Sequence, residues 1–125
     1  MQILKIETPG VEKAKIMVGE GWQITQQRLF DVAPDDADKV EVRGGKITIW
    51  QLCFVEDLLQ VINRSRGLLL DVGWYPDSRP DGAYRLQLIH EKKGARIPYD
   101  WDNPEIDFTT RSLADLLAKI HSIVS

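Results

Sequence analysis

Residues 68–75 read LLLDVGWY and residues 83–88 read AYRLQL, with the loop PDSRPDG (76–82) between them. In an extended chain successive side chains point to opposite faces, so Leu70, Val72 and Trp74 share one face of the first run. Tyr84, Leu86 and Leu88 share one face of the second. The intervening proline and Asp-Gly supply turn chemistry. The stretch therefore predicts a β-hairpin with its loop at Pro76 to Gly82, and it makes antiparallel sheet the basis of the fold.

Working back toward the N-terminus, the same period-two alternation predicts strands at Leu4 and Ile6 and at Ala14, Ile16 and Val18, separated by the Thr8-Pro9-Gly10 turn signal. A third strand is expected in the stretch carrying Trp22, Ile24, Phe30 and Val32, although Gln26 and Arg28 interrupt its apolar side. Gly44-Gly45 predicts a tight hairpin that sets Val42 opposite Ile47 and Val40 opposite Ile49. Beyond Ile49 the period changes. Leu52, Val55, Leu59 and Ile62 recur at helical spacing, Phe54, Leu58 and Val61 widen the stripe, and Gly67 stands where a helix stop belongs. These positions predict a helix running to about Ser65. Its start is open between a capping box at Thr48 and Gln51 and continuation of a strand through Ile47 to Trp50.

Toward the C-terminus, Gly94 predicts a further turn into a short strand around Arg96 to Tyr99, with Pro98 arguing for an edge position. A final helix follows from Leu113, Leu116, Leu117, Ile120, Ile123 and Val124, with Ser112 and Asp115 as its capping box. A likeness between Asp57-Leu58-Leu59 and Asp115-Leu116-Leu117 is too short to indicate duplication. The expected architecture is α+β: a mostly antiparallel sheet of about six or seven strands with two amphipathic helices packed on it.

The 125 residues suit a single domain spanning 1–125, and the 43% hydrophobic and 28% charged content disfavours disorder. No basic stretch followed by an apolar run opens the chain, and no apolar run approaches the ~20 residues that span a bilayer, so a cytoplasmic protein without membrane attachment is expected. One cysteine, Cys53, cannot form an internal bridge, which fits a reducing compartment and a core thiol. The Asn63-Arg64-Ser65 sequon has no meaning without secretion.

Charge is uneven along the chain. Residues 31–38 carry Asp31, Asp35, Asp36 and Asp38 with no base, and residues 97–107 carry Asp100, Asp102, Glu105 and Asp107 with no base. Arg85, Lys92, Lys93 and Arg96 outweigh Glu91 between them. The plain reading is solvated loop charge. Nucleic-acid binding is opposed by the acidic balance and by the lack of an aromatic-plus-basic motif.

Chemistry-bearing motifs are few. No glycine-rich turn joins a strand to a helix, so no phosphate cradle and no nucleotide cofactor is expected. Cys53, His90 and His121 are too scattered for a zinc pattern, and no metal is expected. A Cys53, His90 and Asp71 triad requires that the fold bring them together, and the more economical reading makes Cys53 a small hydrophobe. His121, beside Ile120 on the final helix, reads as a rim residue near that helix's C-terminal end. The carboxylate pairs Asp35/Asp36 and Asp100/Asp102 lack a basic or histidine companion for acid–base work. Tyr99-Asp100-Trp101-Asp102 interleaves aromatics with acids, as an interface does when its partner is basic. Trp74-Tyr75-Pro76-Asp77 is similar, but Trp74 continues the apolar face of its strand and reads as core. Trp101 fits core or surface equally.

The segments Leu69 to Asp77, Pro80 to Leu86 and Thr110-Arg111-Ser112-Leu113 carry a resemblance. Over roughly residues 67–117 the chain resembles small bacterial immunity proteins, more specifically the cognate immunity proteins of contact-dependent growth inhibition and related polymorphic toxin systems. Such proteins bind a toxin domain inside the producing cell and block it. The resemblance implies a non-enzymatic role and a toxin partner of the nuclease class with a basic cleft. Asp35, Asp36, Asp38, Asp100 and Asp102 would stand in for substrate phosphates while Tyr99 and Trp101 anchor the contact. The competing readings are a small enzyme using clustered carboxylates or His90, and a homo-oligomeric structural domain; the sequence leaves oligomeric state open.

Overall fold

In the computed structural model the described residues are 12–40, 42 and 47–125. Their elements are β1 (Gln23–Gln27), a 3-10 helix (Pro34–Lys39), α1 (Ile49–Cys53), β2 (Leu59–Asn63), β3 (Leu68–Tyr75), β4 (Ala83–His90), β5 (Ile106–Thr110) and α2 (Leu113–Val124). The strands form one open antiparallel sheet in the order β1-β2-β3-β4-β5. The α+β class and the antiparallel sheet are as the sequence predicts. The strand number among the described residues is five rather than six or seven. The Leu4/Ile6 strand and the Gly44-Gly45 turn lie outside the described residues. No helix among the described residues is long and apolar enough to cross a membrane.

The β3–β4 hairpin forms as predicted, and its register sets Leu70 opposite Leu88, Val72 opposite Leu86 and Trp74 opposite Tyr84. These side chains and Val61 of β2 line one face of the sheet and join Trp50, Phe54, Leu116 and Ile120 in the main core. On the other face Ile62, Leu69 and Ile89 make a small second cluster that Tyr99 covers. β3 is therefore buried on both sides, which explains its nearly continuous apolar sequence.

The long helix expected from Leu52 to Ser65 is not formed. The Thr48/Gln51 capping box is real, with Gln51 N–H donating to Thr48 Oγ1 (3.2 Å) and Thr48 N–H to Gln51 Oε1 (2.8 Å), but it starts a helix of only five residues. The chain then enters β2. Leu58, Leu59, Val61, Ile62 and Asn63 are all buried, on both faces of a sheet interior, so their apolar positions satisfied a helical template without belonging to a helical stripe. The β-branched Val61 and Ile62 favour the extended form. Gly67 does adopt a left-handed conformation (φ 63°), but in the β2–β3 turn and not at a helix end.

Two further segments depart from expectation. Ala14 to Val18 alternates in burial as a strand would, yet is held to its neighbour by an isolated bridge between Lys13 and Phe30 rather than a ladder. Residues around Arg96 to Tyr99 likewise make a single bridge, Glu91 to Tyr99. By contrast β5 was hidden inside the acidic stretch, where Ile106, Phe108 and Thr110 alternate with Asp107 and Thr109. The final helix is as read: Ser112 Oγ accepts from Asp115 N–H (3.1 Å), and Leu113, Leu116, Ile120 and Val124 are buried. Its C-terminal end is held by the 17–19 segment, where Met17 N–H donates to His121 Nε2 (3.1 Å) and Gly19 N–H to the Val124 carbonyl (2.6 Å).

Candidate functional site

The aromatic and acidic residues singled out in the sequence fall at two ends of the sheet. Asp100 N–H donates to the His90 carbonyl (2.9 Å), which ties the 99–102 segment to the end where β4 finishes. The 3-10 helix carrying Asp35, Asp36 and Asp38 lies at the other end. There Asp38 Oδ1 accepts from Trp50 Nε1–H (3.0 Å), and the Trp50 ring sits 5.9 Å from that of Trp74. Trp74 pairs with Tyr84, six positions before His90 on β4, a separation of roughly 20 Å along a strand. The two acidic segments therefore do not make one surface.

They also differ in what their side chains do. Asp38 orients a core indole, and Asp36 pairs with Lys39 (3.1 Å), leaving Asp35 as the acid of that helix with no protein partner among the described residues. In the other segment Tyr99 is the seat: its ring closes the cluster of Ile62, Leu69 and Ile89. Asp100 accepts from the Asn103 side-chain amide (3.3 Å to each oxygen), which tightens the following turn. Lys92 N–H donates to the Pro98 carbonyl (2.6 Å) and Gly94 turns the chain at φ 73°. On this frame Trp101 is 40% exposed and Ile97 is 62% exposed. They rim a shallow groove of about 290 Å³ together with Lys92, Arg96, Asp100 and Asp102. Ile97 was not singled out from the sequence, because an isoleucine before a proline in a presumed edge strand gives no sign of which way it points. The groove is mixed in charge, since the fold lays the basic tip of the β4 extension beside the acids.

The conceivable Cys53, His90 and Asp71 triad is not assembled. Cys53 belongs to the main core beneath one face of the sheet, whereas Asp71, between Leu70 and Val72, points to the other. Burial pushes the Cys53 thiol up to about 12, so it is a buried hydrophobe and not a thiolate nucleophile. His90 contacts Glu105 across the sheet end through Nε2 and Oε1. Among the described residues no three His, Cys, Asp or Glu side chains gather as a metal site requires.

The segments Leu69 to Asp77, Pro80 to Leu86 and Thr110 to Leu113 converge on Trp74. Its Nε1–H donates to the Arg79 carbonyl (2.8 Å), and the Arg111 guanidinium lies over its ring, 5.4 Å from the centroid. Arg111 also donates to the carbonyls of Pro80 (3.1 Å) and Gly82. These runs hold the β3–β4 loop to the core, at the end of the sheet away from Trp101.

Asp71 is 8% exposed on the second face, where Gln60 Nε2–H donates to its Oδ1 (3.2 Å). Burial raises its carboxyl above the ordinary range more than the Gln60 bond lowers it, and nearby Asp57 raises it further. A carboxyl that holds its proton more tightly folded than unfolded is most favourable below the unfolded value, and that stability is lost as pH rises through the folded one. Asp71→Asn keeps an acceptor for Gln60 and removes the charge. The variant is expected to be more stable than the parent by about 1 kcal/mol at pH 7, the gain vanishing near pH 3, as paired urea titrations at both values would show. An equal gain at both pH values would mean that shape, not charge, governs the site.

Comparison with protein-family models, curated proteins and solved structures gives no significant match to this chain.

Proposed function

We propose that the chain is an immunity protein that binds a cognate toxin domain and neutralises it by occlusion, with the 97–102 segment as the core of the contact. The observation that carries this reading is the pairing of exposed Trp101 and Ile97 on a loop fixed underneath by Tyr99. Large apolar side chains held in place lose little conformational freedom on binding, and tryptophan is enriched among residues that dominate interface energies. Asp100 and Asp102 beside them fit a basic partner such as a nuclease cleft, where carboxylates occupy positions that substrate phosphates would take. Asp35 and Asp36 form a separate patch outside this contact.

The test uses the intact protein as bait in extract of its source cell, including the product of the neighbouring upstream gene, followed by calorimetry and an activity assay on the partner. A toxin-like domain bound with nanomolar affinity and inactivated on mixing is the expected result. Trp101→Ala is expected to weaken the complex by about 2 kcal/mol, roughly 30-fold. Reversing Asp35 and Asp36 to lysine is expected to leave affinity unchanged. A tight complex indifferent to Trp101→Ala but lost on reversing Asp35 and Asp36 would place the contact at the other end of the molecule and sink this assignment.

A further inference from the structure

The β2–β3 turn and the chain leaving β4 enclose a polar concavity of about 310 Å³. Arg64 and Arg66 line it from the turn and Lys93 from beyond β4, with Glu91 as its one carboxylate and His90 at its side. All three cations are exposed, and none enters an ion pair among the described residues. Like charges gathered around a concavity repel one another unless an anion sits between them, and a recessed site focuses their field.

The turn that presents them is rigid for reasons visible in its bonding. Asn63 is 3% exposed, and its Oδ1 accepts from Ser65 Oγ–H (3.0 Å) and Arg66 N–H (3.1 Å). Gly67 adopts φ 63° and its carbonyl accepts from Glu91 N–H (2.7 Å), locking the turn to the end of β4. Arg66 lies over the Trp22 ring, 5.9 Å from its centroid, which restricts the guanidinium to one side of the cavity. The turn and the Arg66 guanidinium are thus positioned before any ligand arrives, while Arg64 and Lys93 line the cavity as exposed side chains.

We infer that this concavity is an anion site for the phosphate or pyrophosphate group of a small ligand. Three permanent cations against one carboxylate leave an excess that matches a phosphate dianion, and guanidinium forks suit tetrahedral phosphate oxygens. The volume is at the lower end of small-ligand sites. A polynucleotide is disfavoured because the chain carries a net charge of −3 and Glu91 lines the cavity itself. The site shares no lining residue with the 97–102 groove and calls for no toxin partner.

The experiment is calorimetric titration of the full chain with pyrophosphate, ionic strength held constant with sodium chloride, repeated on an Arg64→Gln/Lys93→Gln double variant. Both positions are exposed, so the variant is expected to fold, which circular dichroism checks. Binding with Kd below about 1 mM is expected, weakened at least about tenfold in the double variant, with a rise in melting temperature that the variant lacks. No binding beyond the chloride control, or binding that the variant retains, would overturn the site. A short single-stranded oligonucleotide bound more tightly than pyrophosphate would also overturn it, because the cations would then be reading a polymer backbone.

Discussion

Gly73→Ala is expected to destabilise the protein by about 4 kcal/mol, an unusually large effect for the addition of one methyl group. Gly73 sits within β3, where Leu58 N–H donates to the Val72 carbonyl (3.0 Å) and Trp74 N–H to the Val55 carbonyl (2.9 Å). Between those two bonds Glu56 and Asp57 bulge outward, and the Glu56 carbonyl comes to lie over Gly73. A Cβ at this position would fall 2.0 Å from the Glu56 oxygen, 2.8 Å from its carbonyl carbon and 2.9 Å from Tyr75 Cε2. The bulge has little room to retreat, because Glu56 N–H is held by Asp77 Oδ2 (2.9 Å) and the Phe54 carbonyl by Ser78 N–H (2.7 Å). The two nearest opposing atoms are backbone, so no rotamer change relieves the clash.

Gly94→Ala is the matched control. There φ is 73° and a Cβ would meet nothing within 4 Å, so only the left-handed backbone is disfavoured, at about 1 kcal/mol. Urea unfolding of both variants separates the two causes. For a chain of this size the Gly73 change should lower the melting temperature by about 15 °C and the Gly94 change by about 4 °C. Equal losses in the two variants would show that the 55–58 bulge yields easily, contrary to the bonding around it.

The bulge also explains why part of the fold could be read from sequence and part could not. The β3–β4 hairpin and α2 were legible because side-chain period and terminal chemistry agree: Trp74 faces Tyr84 across a loop of turn residues, and Ser112 caps a stripe from Leu113 to Val124. From Leu52 to Ile62 the two signals conflict. A five-residue helix, a bulge and a strand buried on both sides follow one another so closely that their apolar residues merge into one apparent helical face. β5 was hidden for another reason. Its Asp107 is an acid among acids in sequence, yet in the structure the Arg85 guanidinium forks onto it (3.0 and 2.7 Å) and holds its carboxyl below the ordinary range. The same limitation governs the candidate site. Tyr99 and Trp101 are two positions apart in sequence and stay together, whereas Asp35, Asp36 and Asp38 reach the opposite end of the sheet. Strand order decides that placement, and no local pattern encodes it.

Trp74→Ala is expected to cost a further large amount, about 4 to 5 kcal/mol, and to do more than open a cavity. Trp74 is fully buried, with the Phe54 ring 4.8 Å away and Tyr84 packed edge-on at 5.0 Å. Removing the indole forfeits those contacts and also deprives the Arg79 carbonyl of its donor and Arg111 of the ring beneath it. The backbone at Gly82 presses against the same ring, since a Cβ there would lie 2.5 Å from Trp74 Nε1. Trp74→Phe separates packing from anchoring: it keeps an aromatic ring in the core and loses the indole donor, so a smaller loss of about 1 to 2 kcal/mol is expected. If the indole anchors the loop, amide exchange in the phenylalanine variant should quicken at Arg79 and Gly82, whose N–H groups bond within that loop, while amides of α2 change only with global stability. Uniform quickening across loop and helix would assign Trp74 to packing alone. Loosening confined to residues 76–82 would show that Trp74, together with Arg111, holds this loop to the core. It would also predict that Trp74 variants still folded retain the contact proposed for residues 97–102, roughly 20 Å away at the other end of the sheet.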